Sequence, residues 1–484
     1  MTGDPKRFRY QRLAQEIEQK ILDRTYRPGD KLPSVRMLGS RLNLSTFTVY
    51  QAYLELEAIG LVEVRSKSGY YVAPISLRDI RIPAFDRIFH PPREIKLSAM
   101  INSVMAAINN PDLLPLASTT IDVELLPYRQ LARILKNLSH AEIKSMLSYS
   151  LSEGDLELRR HLALWYLGFL EGISPDDIII TNGCMEAITL SLLAVVRAGD
   201  TIAIESPTNF SFLQLLKELG ILVVEVPTDP LSGVDIDELR KVVENNRIRA
   251  LLLMPNFHNP LGAVMPDEKK KNLVYLANSH DIPIIEDDIS GELFFEGKRP
   301  LPLKAFDRKD LVLTCSSFSK TLAPGLRIGW IIPGKRLKEK LQSLKAGTTV
   351  STSTLNQHLL ARFLSGGAYE RHLRSLRKSL KKQVIRTALA LQKYLPPDIR
   401  IAVPRGGSLL WVQLDARADS ETIYQEALER GVSIIPGVVC SNSGQYRNCI
   451  QVSCGSPFTR EIEKGIEVLG AVIRETSSNG QIVE

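Results

Sequence analysis

The stretch Ser316-Ser317-Phe318-Ser319-Lys320-Thr321-Leu322-Ala323-Pro324-Gly325-Leu326-Arg327-Ile328-Gly329-Trp330 sets a lysine among hydroxyl groups, with an arginine seven residues on. An isolated lysine is ordinarily surface charge. A lysine that forms a Schiff base needs a lowered pKa and a fixed geometry. Arg327 suits a phosphate through its planar fork of donors, and Ser317 can add another. This combination points to a phosphate-bearing ligand held beside a reactive amine.

Just upstream, Leu311-Val312-Leu313-Thr314 reads as a buried strand. Working outward, Ile178-Ile179-Ile180, Thr201-Ile202-Ala203-Ile204, Ala250-Leu251-Leu252-Leu253-Met254 and Ile282-Pro283-Ile284-Ile285 read likewise. Continuous apolar strands separated by helical segments imply an α/β fold with a mainly parallel sheet covered on both faces. Ligands of such folds bind at the carboxyl ends of the strands, where the polar motifs of this chain lie.

After Ile180 comes Thr181-Asn182-Gly183-Cys184-Met185-Glu186-Ala187, a glycine turn into an apolar helix whose free N–H groups suit an anion. After Met254 comes Pro255-Asn256-Phe257-His258-Asn259-Pro260-Leu261-Gly262, which by itself is equally well a turn. After Ile285 comes Glu286-Asp287-Asp288, carboxylates that are costly to bury without a cationic partner.

Together these segments resemble the fold-type-I aminotransferases, the pyridoxal-phosphate enzymes, over roughly residues 115–475. The resemblance implies pyridoxal 5'-phosphate as cofactor, with Lys320 as the Schiff-base lysine. It implies that Asp287 holds the pyridine nitrogen protonated and that Asn259 hydrogen-bonds the ring's phenolic oxygen. Gly183, Cys184 and Met185 then cradle the phosphate, with Ser317, Ser319 and Arg327 around it.

Three positions depart from that pattern. Asn209, followed by Phe210, stands where an aromatic residue usually stacks on the cofactor ring. Ser290 stands in place of a tyrosine, and Gln451 in place of the arginine that clamps the substrate α-carboxylate. Arg405 is an alternative cation or simply a solvated loop residue. A charge-assisted hydrogen bond contributes roughly 1.5–3 kcal/mol, so losing the clamp implies little or no transaminase activity.

The N-terminal region is of another kind. Leu13, Ile17 and Ile21 mark one face of a helix, and Tyr26-Arg27-Pro28-Gly29-Asp30 breaks it. Ser34 caps a second helix burying Val35, Leu38 and Leu42. Ser45 caps a third, burying Val49, Tyr53 and Leu56. Leu61 to Val64 and Tyr70 to Val72 form strands around Ser66-Lys67-Ser68-Gly69. This is a winged helix-turn-helix, whose third helix enters the major groove with Ser45, Thr46, Phe47, Thr48 and Gln51 at its N-terminal end. Arg36 and the wing residues Arg65 and Lys67 contact phosphates or the minor groove.

The runs Pro28-Gly29-Asp30-Lys31-Leu32-Pro33-Ser34-Val35-Arg36 and Leu54-Glu55-Leu56-Glu57-Ala58-Ile59-Gly60-Leu61 resemble a GntR-type DNA-binding domain, with Thr46 where that family often carries arginine. GntR head plus aminotransferase-like body resembles the MocR subfamily of transcriptional regulators.

Charge follows the same division. The 484 residues carry a net +7. Residues 1–75 hold 12 Lys/Arg against 8 Asp/Glu, and residues 76–100 hold 5 against 3, so the first hundred carry +6. A nucleic-acid-binding head explains this, as does a solvated basic face. Residues 1–75 are read as the head, 76–105 as a proline-containing basic linker, and 106–484 as the cofactor-binding and dimerisation body. The five cysteines form no CxxC pair and the seven histidines no metal-ligand spacing, so no metal is expected. No run approaches a membrane span and the first ten residues lack a signal-peptide core, which predicts a bacterial cytoplasmic protein. The expected partners are double-stranded promoter DNA, a small-molecule effector (an amino acid or an amine) and a second copy of the chain. An active aminotransferase with a DNA-binding appendage, and a regulator whose body has lost its cofactor, are the alternatives.

Overall fold

The computed structural model describes residues 8–23, 25–65, 68–73, 80–85, 91–95 and 100–479. At the N-terminus, helices Arg9–Leu22, Val35–Leu42 and Thr46–Ala58 precede an antiparallel hairpin of β1 (Val62–Arg65) and β2 (Gly69–Val72). Short polar side chains start the second and third helices. Ser34 Oγ accepts the Met37 N–H at 3.2 Å and Ser45 Oγ accepts the Thr48 N–H at 3.0 Å, each satisfying a donor that the helix leaves open. Leu13, Ile17, Ile21, Val49, Tyr53 and Leu56 fill the core, and Leu61 and Val72 close it. The Tyr53 hydroxyl donates to the Pro33 carbonyl at 2.7 Å, so its polar end is satisfied.

Leu42 departs from the expected buried face, being 41% exposed. Its helix ends there, Asn43 turns the chain at φ 53°, and Leu44 packs on the core instead.

The remainder contains an eight-stranded sheet and a four-stranded sheet. The large sheet comprises β3 (Ile179–Thr181), β4 (Thr201–Ser206), β5 (Leu222–Asp229), β6 (Gly233–Val234), β7 (Ile248–Leu253), β8 (Ile284–Asp287), β9 (Val312–Ser317) and β10 (Gly329–Ile332). Its order is β3-β10-β9-β8-β7-β4-β5-β6. The run from β9 to β5 is parallel, while β10 and the edge strand β6 pair antiparallel with their neighbours. The fold is thus α/β with a mainly parallel sheet. Its central strands β7 and β9 are buried at all but one position, Arg249, as their mainly apolar runs require.

The small sheet contains β11 (Arg400–Ala402), β12 (Leu409–Gln413), β13 (Ile435–Pro436) and β14 (Cys449–Ser453), all antiparallel. Helix Met100–Ile108 buries Met100, Ile101 and Val104 in the core of this part, so residues 100–105, read as linker, are body helix. The 27-residue helix Ala368–Tyr394 runs between this core and the head. On it Lys378 pairs with Glu55, and Lys381 lies between Glu18 at 2.9 Å and Glu296 at 2.7 Å. No described helix is long and apolar enough to cross a membrane.

Candidate functional site

The carboxyl ends of the central strands open into a cavity of about 250 Å³. Cys184, Met185, Asn209, Phe210, Asn259, Asp287, Ser290, Ser319, Lys320 and Arg327 line it, so residues from five chain segments converge there. Gly183 lies under its edge at φ 87°, and a Cβ there would collide with the Arg327 guanidinium. Only glycine combines that backbone angle with that close approach. Arg327 Nη2 donates to the Asn182 carbonyl at 3.0 Å, which fixes the arginine over the turn. Helix Cys184–Val195 begins immediately after, with no side-chain cap. Its first N–H groups are therefore open to an anion.

Ser317 behaves differently from its neighbours. It is buried at the end of β9 and does not line the cavity; its Oγ accepts the Ser319 N–H at 3.2 Å. Its hydroxyl holds the turn that presents Ser319 and Lys320.

The Lys320 ammonium donates to the Thr119 carbonyl and lies 3.3 Å from Thr119 Oγ1. Burial pulls its pKa down to about 8, against the opposing pull of Asp287. That direction raises the share of free amine, which nucleophilic attack on a carbonyl requires.

The three carboxylates ending β8 meet three environments. Glu286 accepts the Leu303 N–H at 2.6 Å and the Thr314 hydroxyl at 2.8 Å, and burial raises its pKa. Asp288 pairs with the buried Arg299 and accepts from Asn256 at 3.0 Å. Asp287 faces the cavity with the Ile289 N–H at 3.0 Å and the Cys184 thiol at 3.4 Å, and forms no ion pair with a described residue. Burial pushes it up to about 6. A carboxylate so placed suits a cationic ligand atom, whose charge would return it to the ionised form.

One departure from the resemblance, Asn209, has a local structural role. Asn209 caps helix Phe210–Glu218, its Oδ1 accepting the Ser211 N–H at 3.1 Å. Phe210 is buried at the cavity wall. Gln451 is buried in β14, and Arg405 is exposed and outside the lining.

Sequence reasoning missed Thr119, Thr120, Phe257, His258, Leu293 and the Gly406–Leu409 turn, all in the lining. His258 and Phe257 lay inside a quoted motif and were legible. Thr119 carries no such signal, being 201 residues from the lysine that it holds.

On the head, Arg36, Ser45, Thr46 and Phe47 are exposed, Phe47 at 68%, and Thr48 and Gln51 are half-buried. Ser45 and Thr48 also join hydroxyls at 2.8 Å, so both serve the helix start. Arg65 pairs with Glu63 at 2.8 Å and lies 4.3 Å over the Tyr71 ring, which tempers its charge. Lys67 lies outside the described residues. Exposed Met37 and Tyr50 extend this face and were not anticipated.

Comparison with known proteins bears on both parts. Residues 112–469 match the family "Aminotransferase class I and II", and residues 9–72 match "Bacterial regulatory proteins, gntR family". The chain is 35% identical to the uncharacterized HTH-type transcriptional regulator YjiR of Escherichia coli, covering 96% of this chain and 98% of that one. It is 36% identical to the E. coli regulator YdcR over 96% of this chain and 99% of that one. Among solved structures it resembles LysN, the α-aminoadipate aminotransferase of Thermus thermophilus, complexed with N-(5'-phosphopyridoxyl)-L-leucine. That match has TM-score 0.73 and 27% identity, covering 80% of this chain and 97% of that one. Pyridoxal phosphate is the cofactor that this fold implies. With a gntR-type head joined to that body, the chain belongs to the aminotransferase class I and II family and to the MocR-type HTH transcriptional regulators.

Proposed function

We propose that the body of this DNA-binding regulator holds pyridoxal phosphate at Lys320 and senses a small amine-bearing molecule beside it. The observation that carries the reading is Lys320 itself, a buried, pKa-lowered amine sharing one cavity with Asp287, Asn259 and Arg327. When bound, the cofactor supplies an aldehyde that condenses with primary amines. The protein's residues do the rest. Thr119 orients the Lys320 amine. Asp287 holds a proton at the ring nitrogen, and Asn259 donates to the ring's oxygen. The open N–H groups after Gly183, with Ser319 and Arg327, neutralise the phosphate.

Ligand arriving at this cavity favours one arrangement of the body and repositions the heads, a population shift between two states. Arg36, Thr46, Phe47, Thr48 and Gln51 meet operator DNA, with Ser45 starting the helix and Arg65 and Lys67 supplying the wing. The working protein is a homodimer. Leu147, Tyr149, Leu151, Leu164 and Leu167 support this, since a lone chain exposes them to water, Tyr149 at 87%. Residues 1–75 form the head, the tether runs to about 99 and the body follows, in the cytoplasm of a bacterium.

The test is cofactor titration of purified protein. The wild type gains a visible absorption band that survives dialysis, and Lys320→Ala does not. A wild type that stays colourless rejects cofactor sensing, and fast keto-acid production from common amino acids favours an enzyme instead.

A further inference from the structure

We infer that the sensed ligand is a primary amine with no adjacent carboxylate, carrying an aromatic or aliphatic group. The ligand is thus an arylalkylamine or alkylamine rather than an α-amino acid. This deepens the proposed function and rests on its cofactor site.

Charge carries the first step. Among the described residues of the lining, Lys320 and Arg327 are the only lysine and arginine. Lys320 is the amine at which the cofactor sits, and Arg327 is fixed over the Gly183 turn. His258 offers nothing further. Its Nδ1 accepts the Leu261 N–H at 3.3 Å, and its Nε2 faces the buried Glu205 carboxylate at 3.4 Å. A carboxylate brought in beside the amine would shed its water and meet no free cation among the described residues of the lining, which is a large penalty.

Strand register carries the second step. In the β12–β14 pair, Leu409 stands opposite Ser453 and Trp411 opposite Gln451. Side chains alternate along a strand, so these four share one face. Leu409 lines the cavity, which makes this the cavity-side face. Gln451 lies on that face two residues from Ser453, outside the residues that line the cavity; it stands where the resemblance puts the clamping arginine, yet it is a neutral amide. It is 1% exposed, and its Nε2 has no hydrogen-bond partner among the described residues. An amide can donate a hydrogen bond but cannot balance a full negative charge.

The wall carries the third step. Phe257 keeps φ at 55°, a backbone state that bulky residues rarely hold unless their surroundings enforce it. Its ring lies against Gly406, where a Cβ would collide with it. With Phe210, Met254, Leu293 and Leu409, it gives the cavity an apolar wall suited to an aromatic or aliphatic substituent.

The experiment uses full-length, cofactor-loaded protein, dialysed free of unbound cofactor. It is titrated with phenethylamine against phenylalanine and with isopentylamine against leucine, pairs that differ only by the carboxylate. Each amine should shift the visible spectrum at a concentration at least about tenfold below that of its amino acid. Gln451→Arg should narrow or invert that ratio, and Arg405→Ala should leave it unchanged. Equal or stronger responses to the amino acids overturn the proposal, as does a response to neither member of a pair. In both cases the absorption band itself still upholds the cofactor reading. A protein without that band fails at the proposed function instead. Should Gln451→Arg not fold, the wild-type ratios decide alone.

Discussion

Two helix starts in this molecule, each proposed to meet a phosphate-bearing ligand, begin in opposite ways. In the head, Ser45 caps helix Thr46–Ala58 and takes up its Thr48 N–H. In the body, helix Cys184–Val195 begins at Gly183 with no side-chain cap. The capped start uses its own serine to stay folded and presents side chains, Thr46 and Phe47, outward to a ligand that arrives from solvent. The uncapped start leaves backbone donors for an anion to complete. The first has its own side-chain cap; the second has none. Substitutions at the two starts should therefore fail differently.

The largest effect is expected at Gly183. Alanine there meets both a positive φ and the Arg327 guanidinium. With strain of roughly 1–3 kcal/mol, cofactor affinity should fall about tenfold or more, measured by visible titration. An unchanged affinity would remove this turn from the phosphate site. DNA binding without ligand should be nearly unaffected.

Next comes Asp287→Asn, which should weaken cofactor retention severalfold while stabilising the empty protein. The sign follows from its folded pKa of about 6, which lies above the ordinary 3.8. Folding thus disfavours the carboxylate form. The penalty is absent below about pH 4, grows through pH 6 and is full at pH 7, where it is of order 3 kcal/mol. Melting curves of cofactor-free wild type and variant should diverge across pH 4–6 and stay parted above it. Curves that never diverge would mean that the buried carboxylate already has a partner.

On the head, Arg36→Ala should weaken operator binding across sequences and reduce the salt slope by about one. Ser45→Ala should cost about 1 kcal/mol of head stability, leaving the cofactor band untouched. Loss of the band in Ser45→Ala would break the separation of the two starts.

Legibility divides along the same line. The cofactor cleft was readable because each of its motifs follows an apolar strand, and parallel topology brings strand ends together. That reasoning reaches Gly183 just after β3, Asp287 at the end of β8, and Asn259 and Lys320 in the loops after β7 and β9. It cannot reach Thr119, or Gly406 in the small-sheet part, because no local pattern encodes packing between distant segments. Ser317 shows the converse: its residue type fits the site, but it lies outside the lining, where its Oγ accepts the Ser319 N–H and its O–H is not committed by that bond. In the head, periodicity found the cores of all three helices and failed only at Leu42, where the helix ends.

The smallest effect concerns how head and body meet. Lys381 stands between Glu18 of the head and Glu296 of the body, with about a quarter of its side chain exposed. Partly solvated pairs are weak, so a double-mutant cycle of Lys381→Ala and Glu18→Ala should give a coupling near 0.5 kcal/mol. It should fade at high salt as screening grows. The operator salt slope should be unchanged in either variant, because neither residue belongs to the exposed face around Arg36. A weak joint is what the proposed population shift requires: a ligand can reposition a head only if the contact to be broken is smaller than its differential affinity for the two states. A coupling of several kcal/mol would argue that the head is fixed to the body, and ligand control would then have to act through the dimer instead.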